Sequence, residues 1–180
     1  MDMNEKTVAS QEIFCGKIMK IYLDEVELPN GKHAPREILR HNGGVCCAVL
    51  NDNDEIAFVR QFRYVYGKVV TELPAGKLEV GEEPFDAIKR EVREEIGAQG
   101  CEWRSMGVLY PTPGYCGEII HLFACRISSI AEPQPDDDEF LETMWVPFQE
   151  AVDMVMRGEL PDSKTQVLIL KLAQERAKAN

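Results

Sequence analysis

The chain has 180 residues, 44% of them hydrophobic, which suits one packed domain or one domain with a small appendage. Its net charge of −11 argues against nucleic acid and anionic membrane surfaces as partners, because both attract basic patches. No segment has the apolar length of a signal-peptide core or a membrane span, and the six cysteines form no CxxC pair. We therefore expect a reduced, cytoplasmic protein without a zinc site.

Residues 1–41 are predicted to form an N-terminal β-segment, separate from a main domain at 42–180. Side chains alternate in a strand-like way over about 7–41, and Asn30-Gly31 between two such runs predicts a β-hairpin. A segment of this length can hardly bury a core alone. We expect it to pack on the main domain or on a second subunit.

The next residues favour a sheet with helices layered on it. The unbroken apolar run 45–50 predicts a strand buried on both faces, and the polar run 51–54 predicts a turn. Further strands are predicted at 55–62, 69–73, 103–109, 118–126 and 140–146, and amphipathic helices at 147–157 and 164–177. This order of elements indicates an α+β or mixed α/β fold.

The most specific pattern is GKLEVGEEPFDAIKREVREEIGA, at 76–98. Pro84 suits a first helical turn and Gly97 suits a C-terminal stop, so we predict a helix between them. Its apolar residues recur at spacings of three and four and form a single stripe, made of Phe85, Ile88, Val92 and Ile96.

Three glutamates lie beside this stripe and share an arc of about 100° on the helix, namely Glu91, Glu94 and Glu95. Like charges at this spacing destabilise a helix unless a counter-charge is near. Two interpretations follow from the residues themselves. The glutamates form a solvated acidic face, or they bind a hard divalent cation, which takes oxygen ligands.

The spacing of the whole stretch favours the second interpretation. From Gly76 to Ala98 the chain fills every position of the register Gly-x5-Glu-x7-Arg-Glu-U-x-Glu-Glu-x-Gly-U, where U is apolar. This register resembles the signature of the Nudix hydrolases. The resemblance implies an α/β/α sandwich with a mixed sheet, and Mg²⁺ as the cofactor, with Mn²⁺ as an alternative. It also implies a set of metal ligands, namely Glu91, Glu94, Glu95 and the backbone carbonyl of Ala75.

Two further residues are predicted to serve catalysis. Arg90 stands beside the carboxylates and is expected to orient them through charge-assisted hydrogen bonds. By resemblance to the ADP-ribose pyrophosphatase branch of the family, Glu139 in the acidic loop 136–139 is expected to accept the proton of the attacking water. Asp137 is the second choice for this base and Glu142 the third. If none of these serves, a glutamate of the register, Glu94 first, is expected to take the proton. The alternative is that the loop 136–139 is only a solvated charged loop.

Substrate binding is assigned to three residues. Arg63 follows a predicted strand and suits bidentate phosphate contact, and related pyrophosphatases carry an arginine there that contacts the diphosphate. A solvated surface arginine is the alternative. Pro113, 15 residues after Ala98, and Gly114 resemble the substrate loop of ADP-ribose pyrophosphatases.

The resemblance implies hydrolysis of ADP-ribose to AMP and ribose 5-phosphate, in a homodimer formed through the N-terminal segment. The alternatives are a hydrolase of another nucleoside diphosphate sugar, such as a GDP-sugar or ADP-glucose, and a non-catalytic nucleotide sensor. Retention of every carboxylate in the register argues against the sensor.

Overall fold

The computed structural model describes residues 2–134 and 140–179. The chain divides into two compact units. The first unit runs up to Gly43 and also contains Tyr110–Ile119; the second contains Gly44–Leu109 and the residues from Ile120 onwards. Each is described by itself below.

The first unit is built on an antiparallel three-stranded sheet. Its strands are paired in the order β1 (Lys6–Cys15), β2 (Lys20–Glu27) and β3 (His33–Arg40). The predicted hairpin is confirmed, because Glu27 pairs with His33 across a turn in which Gly31 has a φ of 77°. The segment Tyr110–Ile119 is fixed to β3 through Leu39, whose N–H donates to the carbonyl of Tyr115 at 2.8 Å.

The second unit contains a mixed sheet. In the part of the chain that the structure describes, this sheet has seven strands: β4 (Gly44–Leu50), β5 (Glu55–Arg63), β6 (Lys68–Glu72), β7 (Ala75–Lys77), β8 (Ala98–Leu109), β9 (Ile120–Ile130) and β10 (Leu141–Pro147). The main order is β10-β5-β4-β9-β8, with β6 on β5 and β7 on β4. The β4–β9 pair is parallel and the others are antiparallel.

Helices cover both faces of this sheet. They are α1 (Pro84–Ile96), α2 (Phe148–Met156) and α3 (Ser163–Ala179). Strand β4 is buried throughout, and its side chains alternate between two cores. Cys46, Ala48 and Leu50 pack in the core that holds residues of α2 and α3, whereas Val45, Cys47 and Val49 pack in the core of α1. The predicted α/β/α sandwich is therefore confirmed.

Helix α1 has the predicted ends. It begins at Pro84 and ends at Ile96, and Gly97 follows with a φ of 66°. The N–H of Gly97 donates to the carbonyl of Arg93 at 3.0 Å, which closes the last turn. Phe85 lies at the exposed margin of the stripe, where its ring meets Trp103 edge-on at 5.7 Å.

Two strands differ from the prediction in length. Strand β8 begins at Ala98, five residues before the predicted start, and β9 runs to Ile130. Residues 98–101 pair with 126–130 with one register shift, between Gln99 and Gly100. A second shift follows between Cys101 and Arg104, where Glu102 is in a left-handed conformation. These irregularities, and the glycine at 100, remove the alternation by which a strand is recognised. Every helix in the described residues is too short or too polar to span a membrane.

Candidate active site

The site is built where β7 meets the second half of α1. A Cβ added to Gly76 would lie 1.9 Å from Cδ of Glu91, so only glycine leaves room for that carboxylate. One residue earlier, the N–H of Ala75 donates to Oε2 of Glu95 at 2.9 Å. The loop residues and two glutamates of the register thus form one packed unit.

Arg90 connects the carboxylates of the register. Its Nη1 donates to Oε1 of Glu91 at 2.8 Å and to Oε2 of Glu94 at 3.0 Å. Its Nε and Nη2 donate to the two oxygens of Glu82, each at 3.0 Å. Glu82 also accepts the N–H of Glu79 at 3.0 Å, which fastens the loop to the helix. The contacts expected of Arg90 are present, and its role in catalysis stays a prediction.

The pKa values of this cluster follow from these contacts. The hydrogen bond to Glu82 raises the pKa of Arg90, burial opposes it, and the carboxylates of Glu91 and Glu94 raise it further. The same bond lowers the pKa of Glu82, against burial and with help from the N–H of Glu79. Arg90 is therefore a fixed cation that partly neutralises the acidic cluster.

The donor set matches a hard divalent cation in chemical type. Glu91 and Glu95 are buried, and a buried carboxylate is stable only with partners. Within residues 2–134 and 140–179, no three His, Cys, Asp or Glu side chains are grouped closely enough to form a ready metal centre. Oxygen donors nevertheless line the unit formed by β7 and α1, where glycine at 76 makes room for them. The metal-ligand roles of Ala75, Glu91, Glu94 and Glu95 stay predictions.

Arg63 lies in a second charged cluster. Its Nε and Nη2 donate to the two oxygens of Glu72 at 2.7 and 2.9 Å, a bidentate pair. Glu72 is buried and also accepts a bond of 2.5 Å from Nζ of Lys164, which in turn donates to Asp162 at 2.8 Å. The contact of Arg63 with phosphate stays a prediction.

Burial and charge compete at Glu72. Burial acts to raise its pKa, but the hydrogen bond from Arg63 and the charge of Lys164 outweigh burial and lower the pKa to about 2. The pKa of Arg63 is raised, first by its bond to Glu72 and further by the negative charges of Glu95 and Asp162, against burial. The negative charge of Glu95, a carboxylate of the register, thus acts on Arg63.

Sequence reasoning missed Glu72, Lys164 and Asp162. One local signal pointed to Glu72, since it stands two residues after the buried Val70 in a strand and therefore shares its inward face. A glutamate at such a position requires a cationic partner. The partners themselves carry no local signal.

The remaining predicted site residues lie outside both charged clusters or outside the described residues. Pro113 and Gly114 belong to the first unit, in its segment Tyr110–Ile119, and their role in substrate binding stays a prediction. Glu139 and Asp137 lie outside the described residues. Glu142 lies on β10, is exposed, and pairs with Arg60 at 2.7 Å.

Comparison with known proteins gives two family matches. Residues 40–168 match the NUDIX domain, and residues 5–39 match the nucleoside diphosphate sugar hydrolase N-terminal domain.

Similar proteins extend over most of the chain. It is 39% identical to an ADP-ribose pyrophosphatase of Bacillus subtilis (strain 168), over 97% of this chain and 96% of that protein. It is 37% identical to a methanol dehydrogenase activator of Bacillus methanolicus, over 96% and 95%. It is 35% identical to an ADP-ribose pyrophosphatase of Mycobacterium tuberculosis (strain ATCC 25618 / H37Rv), over 88% and 78%.

Proposed function

The chain belongs to the Nudix family of hydrolases, and we propose that it hydrolyses the diphosphate of ADP-ribose to AMP and ribose 5-phosphate with Mg²⁺. One observation carries this proposal: the glutamates of the register are held in a single packed unit. In it, Gly76 leaves room for Glu91, the N–H of Ala75 bonds Glu95, and Arg90 bonds Glu91 and Glu94. The two ADP-ribose pyrophosphatases to which the chain is similar support ADP-ribose as the substrate.

The register residues would hold Mg²⁺. Glu91, Glu94 and Glu95, with the carbonyl of Ala75, are the proposed ligands. Bound Mg²⁺ supplies positive charge that stabilises negative charge developing on the diphosphate. Arg90 holds Glu91 and Glu94 in place before substrate arrives, which lowers the reorganisation needed for reaction.

The proposed reaction is a displacement at phosphorus by water. The water oxygen forms a bond to one phosphorus of the diphosphate, and the bond from that phosphorus to the bridging oxygen breaks. Glu139 takes the proton of the water, and the leaving phosphate keeps the electron pair of the broken bond. Arg63 is the proposed ligand of a diphosphate oxygen.

A homodimer formed through the N-terminal segment is part of this proposal, with residues 1–41 as that segment and 42–180 as the hydrolase domain. One face of the three-stranded sheet exposes a group of apolar side chains that neighbour one another in register, namely Phe14, Ile21 and Leu23. Exposed apolar groups of this kind mark interaction sites. Light scattering after size exclusion tests it, with Leu23→Lys expected to give a monomer.

The cytoplasm is the proposed location. All six cysteines are free thiols in the structure. Unpaired cysteines are usual in a reducing compartment.

The second candidate is hydrolysis of another nucleoside diphosphate sugar. The match of residues 5–39 to the nucleoside diphosphate sugar hydrolase N-terminal domain favours this wider class. Both candidates share the site and the reaction, and differ only in the group attached to the diphosphate.

A substrate panel separates the candidates. The purified protein is incubated with Mg²⁺ and, in turn, ADP-ribose, GDP-mannose, ADP-glucose, NADH and diadenosine polyphosphates, and the products are identified by chromatography and ³¹P NMR. We expect AMP and ribose 5-phosphate from ADP-ribose at the highest kcat/KM, and none of either with EDTA. A higher kcat/KM with another compound of the panel would make that compound the preferred substrate. Binding of these nucleotides without any product would support the alternative of a non-catalytic sensor.

A further inference from the structure

Four charged groups form a line that runs from the start of α3 to the end of β5. Asp162 bonds Lys164 at 2.8 Å, Lys164 bonds Glu72 at 2.5 Å, and Glu72 bonds Arg63 through two nitrogens. The exposed fraction of the side chain is 4% at Glu72, 13% at Lys164 and 38% at Arg63. Solvent therefore reaches this line chiefly at its arginine end.

Stability alone does not explain a buried line of ions. Removing charges from water carries a desolvation penalty, and apolar residues of similar volume often stabilise a protein equally well. A buried ion pair does fix geometry, because two parallel bonds to one carboxylate set the plane of a guanidinium. In this line, the geometry that becomes fixed is that of Arg63.

The bonds of Arg63 leave part of it available. Nε and Nη2 face Glu72, and Nη1 makes no hydrogen bond to any residue in 2–134 or 140–179. An arginine held in this manner presents its outer edge in one orientation, so that little side-chain entropy is lost when it binds an anion.

The same anchor reaches the loop of the active site. Asp162 accepts the N–H and the hydroxyl of Thr165, at 2.9 and 2.6 Å, and Thr165 accepts the N–H of Leu73 at 2.9 Å. Leu73 follows Glu72 and leads through Pro74 into Ala75. The first turn of α3 thus fixes both Arg63 and the chain that enters the register.

We propose that Glu72 and Lys164 are positioning residues for the hydrolysis: Glu72 holds the guanidinium of Arg63 so that Nη1 meets an oxygen of the diphosphate, and Lys164 holds Glu72. This rests on the proposed function for the identity of the anion. Neither residue touches substrate, and both act through Arg63.

A double-mutant cycle on KM tests the proposal. Glu72→Gln is expected to raise KM for ADP-ribose about tenfold and to change kcat less, because a ground-state contact is weakened. Lys164→Met is expected to act in the same direction. In an Arg63→Ala background, Glu72→Gln should raise KM no further, since the residue through which it acts is gone.

The matched control is Asp54→Asn. Asp54 also makes a bidentate pair with an arginine, Arg176, at 2.7 and 2.8 Å. Its loss should leave KM unchanged. A KM that stays at the wild-type value in Glu72→Gln while the melting temperature falls would make the line purely structural, and additive effects in the double mutant would overturn the route through Arg63.

A binding measurement separates this proposal from the proposed function. If the wild type cleaves no ADP-ribose, the function fails, but inorganic pyrophosphate with Mg²⁺ can still be titrated by calorimetry. We expect Glu72→Gln to weaken pyrophosphate binding about tenfold, with no further loss in the double mutant. Equal affinity in wild type and Glu72→Gln overturns the positioning role. If Glu72→Gln does not fold, Lys164→Met carries the same test in both assays.

Discussion

The two charged clusters of the second unit differ in their balance. Arg90 bonds three carboxylates, those of Glu82, Glu91 and Glu94, so that one guanidinium is shared among three negative charges. Around Glu72, two cations meet two carboxylates, since Arg63 and Lys164 face Glu72 and Asp162. In the first cluster one arginine bonds three carboxylates, whereas in the second one carboxylate, Glu72, bonds two cations.

The difference indicates different roles. Carboxylates that share one arginine are further stabilised by a divalent ion. A balanced cluster needs no ligand, and its fixed bonds orient its most exposed group, Arg63. Charge balance therefore distinguishes a site that binds a cation from an assembly that positions a side chain.

The largest expected effect comes from removing a proposed metal ligand. Glu91→Gln and Glu95→Gln each remove a proposed metal ligand, so kcat at saturating Mg²⁺ should fall by about 10³-fold or more, with the fold retained. Steady-state kinetics and circular dichroism provide the measurement. Near-normal turnover in either variant would refute the cation-binding role of the register carboxylates.

The next effect tests whether proton transfer lies outside both clusters. Glu139→Gln should lower kcat by about 10²- to 10⁴-fold, the usual contribution of a general base, and should leave Mg²⁺ affinity unchanged. Asp137→Asn is the control and should lose less. If Asp137 or Glu142 matters more than Glu139, the assignment of the base is wrong; a loss of Mg²⁺ affinity in Glu139→Gln would make Glu139 a ligand.

The site around Arg90 lies on elements that the sequence predicts well. The helix α1 and the buried strand β4 follow from local periodicity and from terminal Pro84 and Gly97, so their predicted ends agree closely with the structure. The bonds of Arg90 to carboxylates span eight residues or fewer along the chain and are fixed by helix geometry and the adjoining loop.

The balanced cluster was beyond such reasoning. Glu72 and Lys164 are 92 residues apart in sequence, and no local pattern specifies that pairing. The first five residues of β8 were missed for a different reason, since bulges and Gly100 remove their alternation. Local patterns predict elements, whereas long-range ion pairs emerge only when the sheet and α3 are assembled.

A smaller effect is expected on stability, and it depends on pH. The pKa of Glu72 is about 2 in the folded protein against an ordinary value of 4.5, so ionised Glu72 stabilises the fold by about 3 kcal/mol above pH 4.5. This stabilisation is lost as the pH falls from 4.5 through 2. The difference in unfolding free energy between wild type and Glu72→Gln should therefore shrink over that range.

Urea denaturation at pH 7, 4 and 3 measures this difference. Glu142→Gln is the matched control, because Glu142 pairs with Arg60 at the surface and such pairs contribute about 0–1 kcal/mol. A difference for Glu72→Gln that stays constant from pH 7 to pH 3 would contradict the low pKa and the balance of this cluster.

The smallest effect concerns the outer partner of Arg90. Glu82 bonds Arg90 and the N–H of Glu79, so Glu82→Gln leaves the proposed ligands intact and loosens only the arginine that orients them. Loss of an outer partner of a metal site typically weakens metal binding by about 10- to 100-fold. We expect the lower end of that range for the loss of apparent Mg²⁺ affinity, with kcat at saturating Mg²⁺ close to wild type.

The neighbouring Glu83 is exposed and makes no capping bond with its side chain, so Glu83→Gln is the control and should change neither quantity. If Glu82→Gln lowered kcat as strongly as Glu91→Gln, Glu82 would belong with the proposed ligands, and the Arg90 cluster would contain one more residue that contacts the metal than its hydrogen bonds indicate.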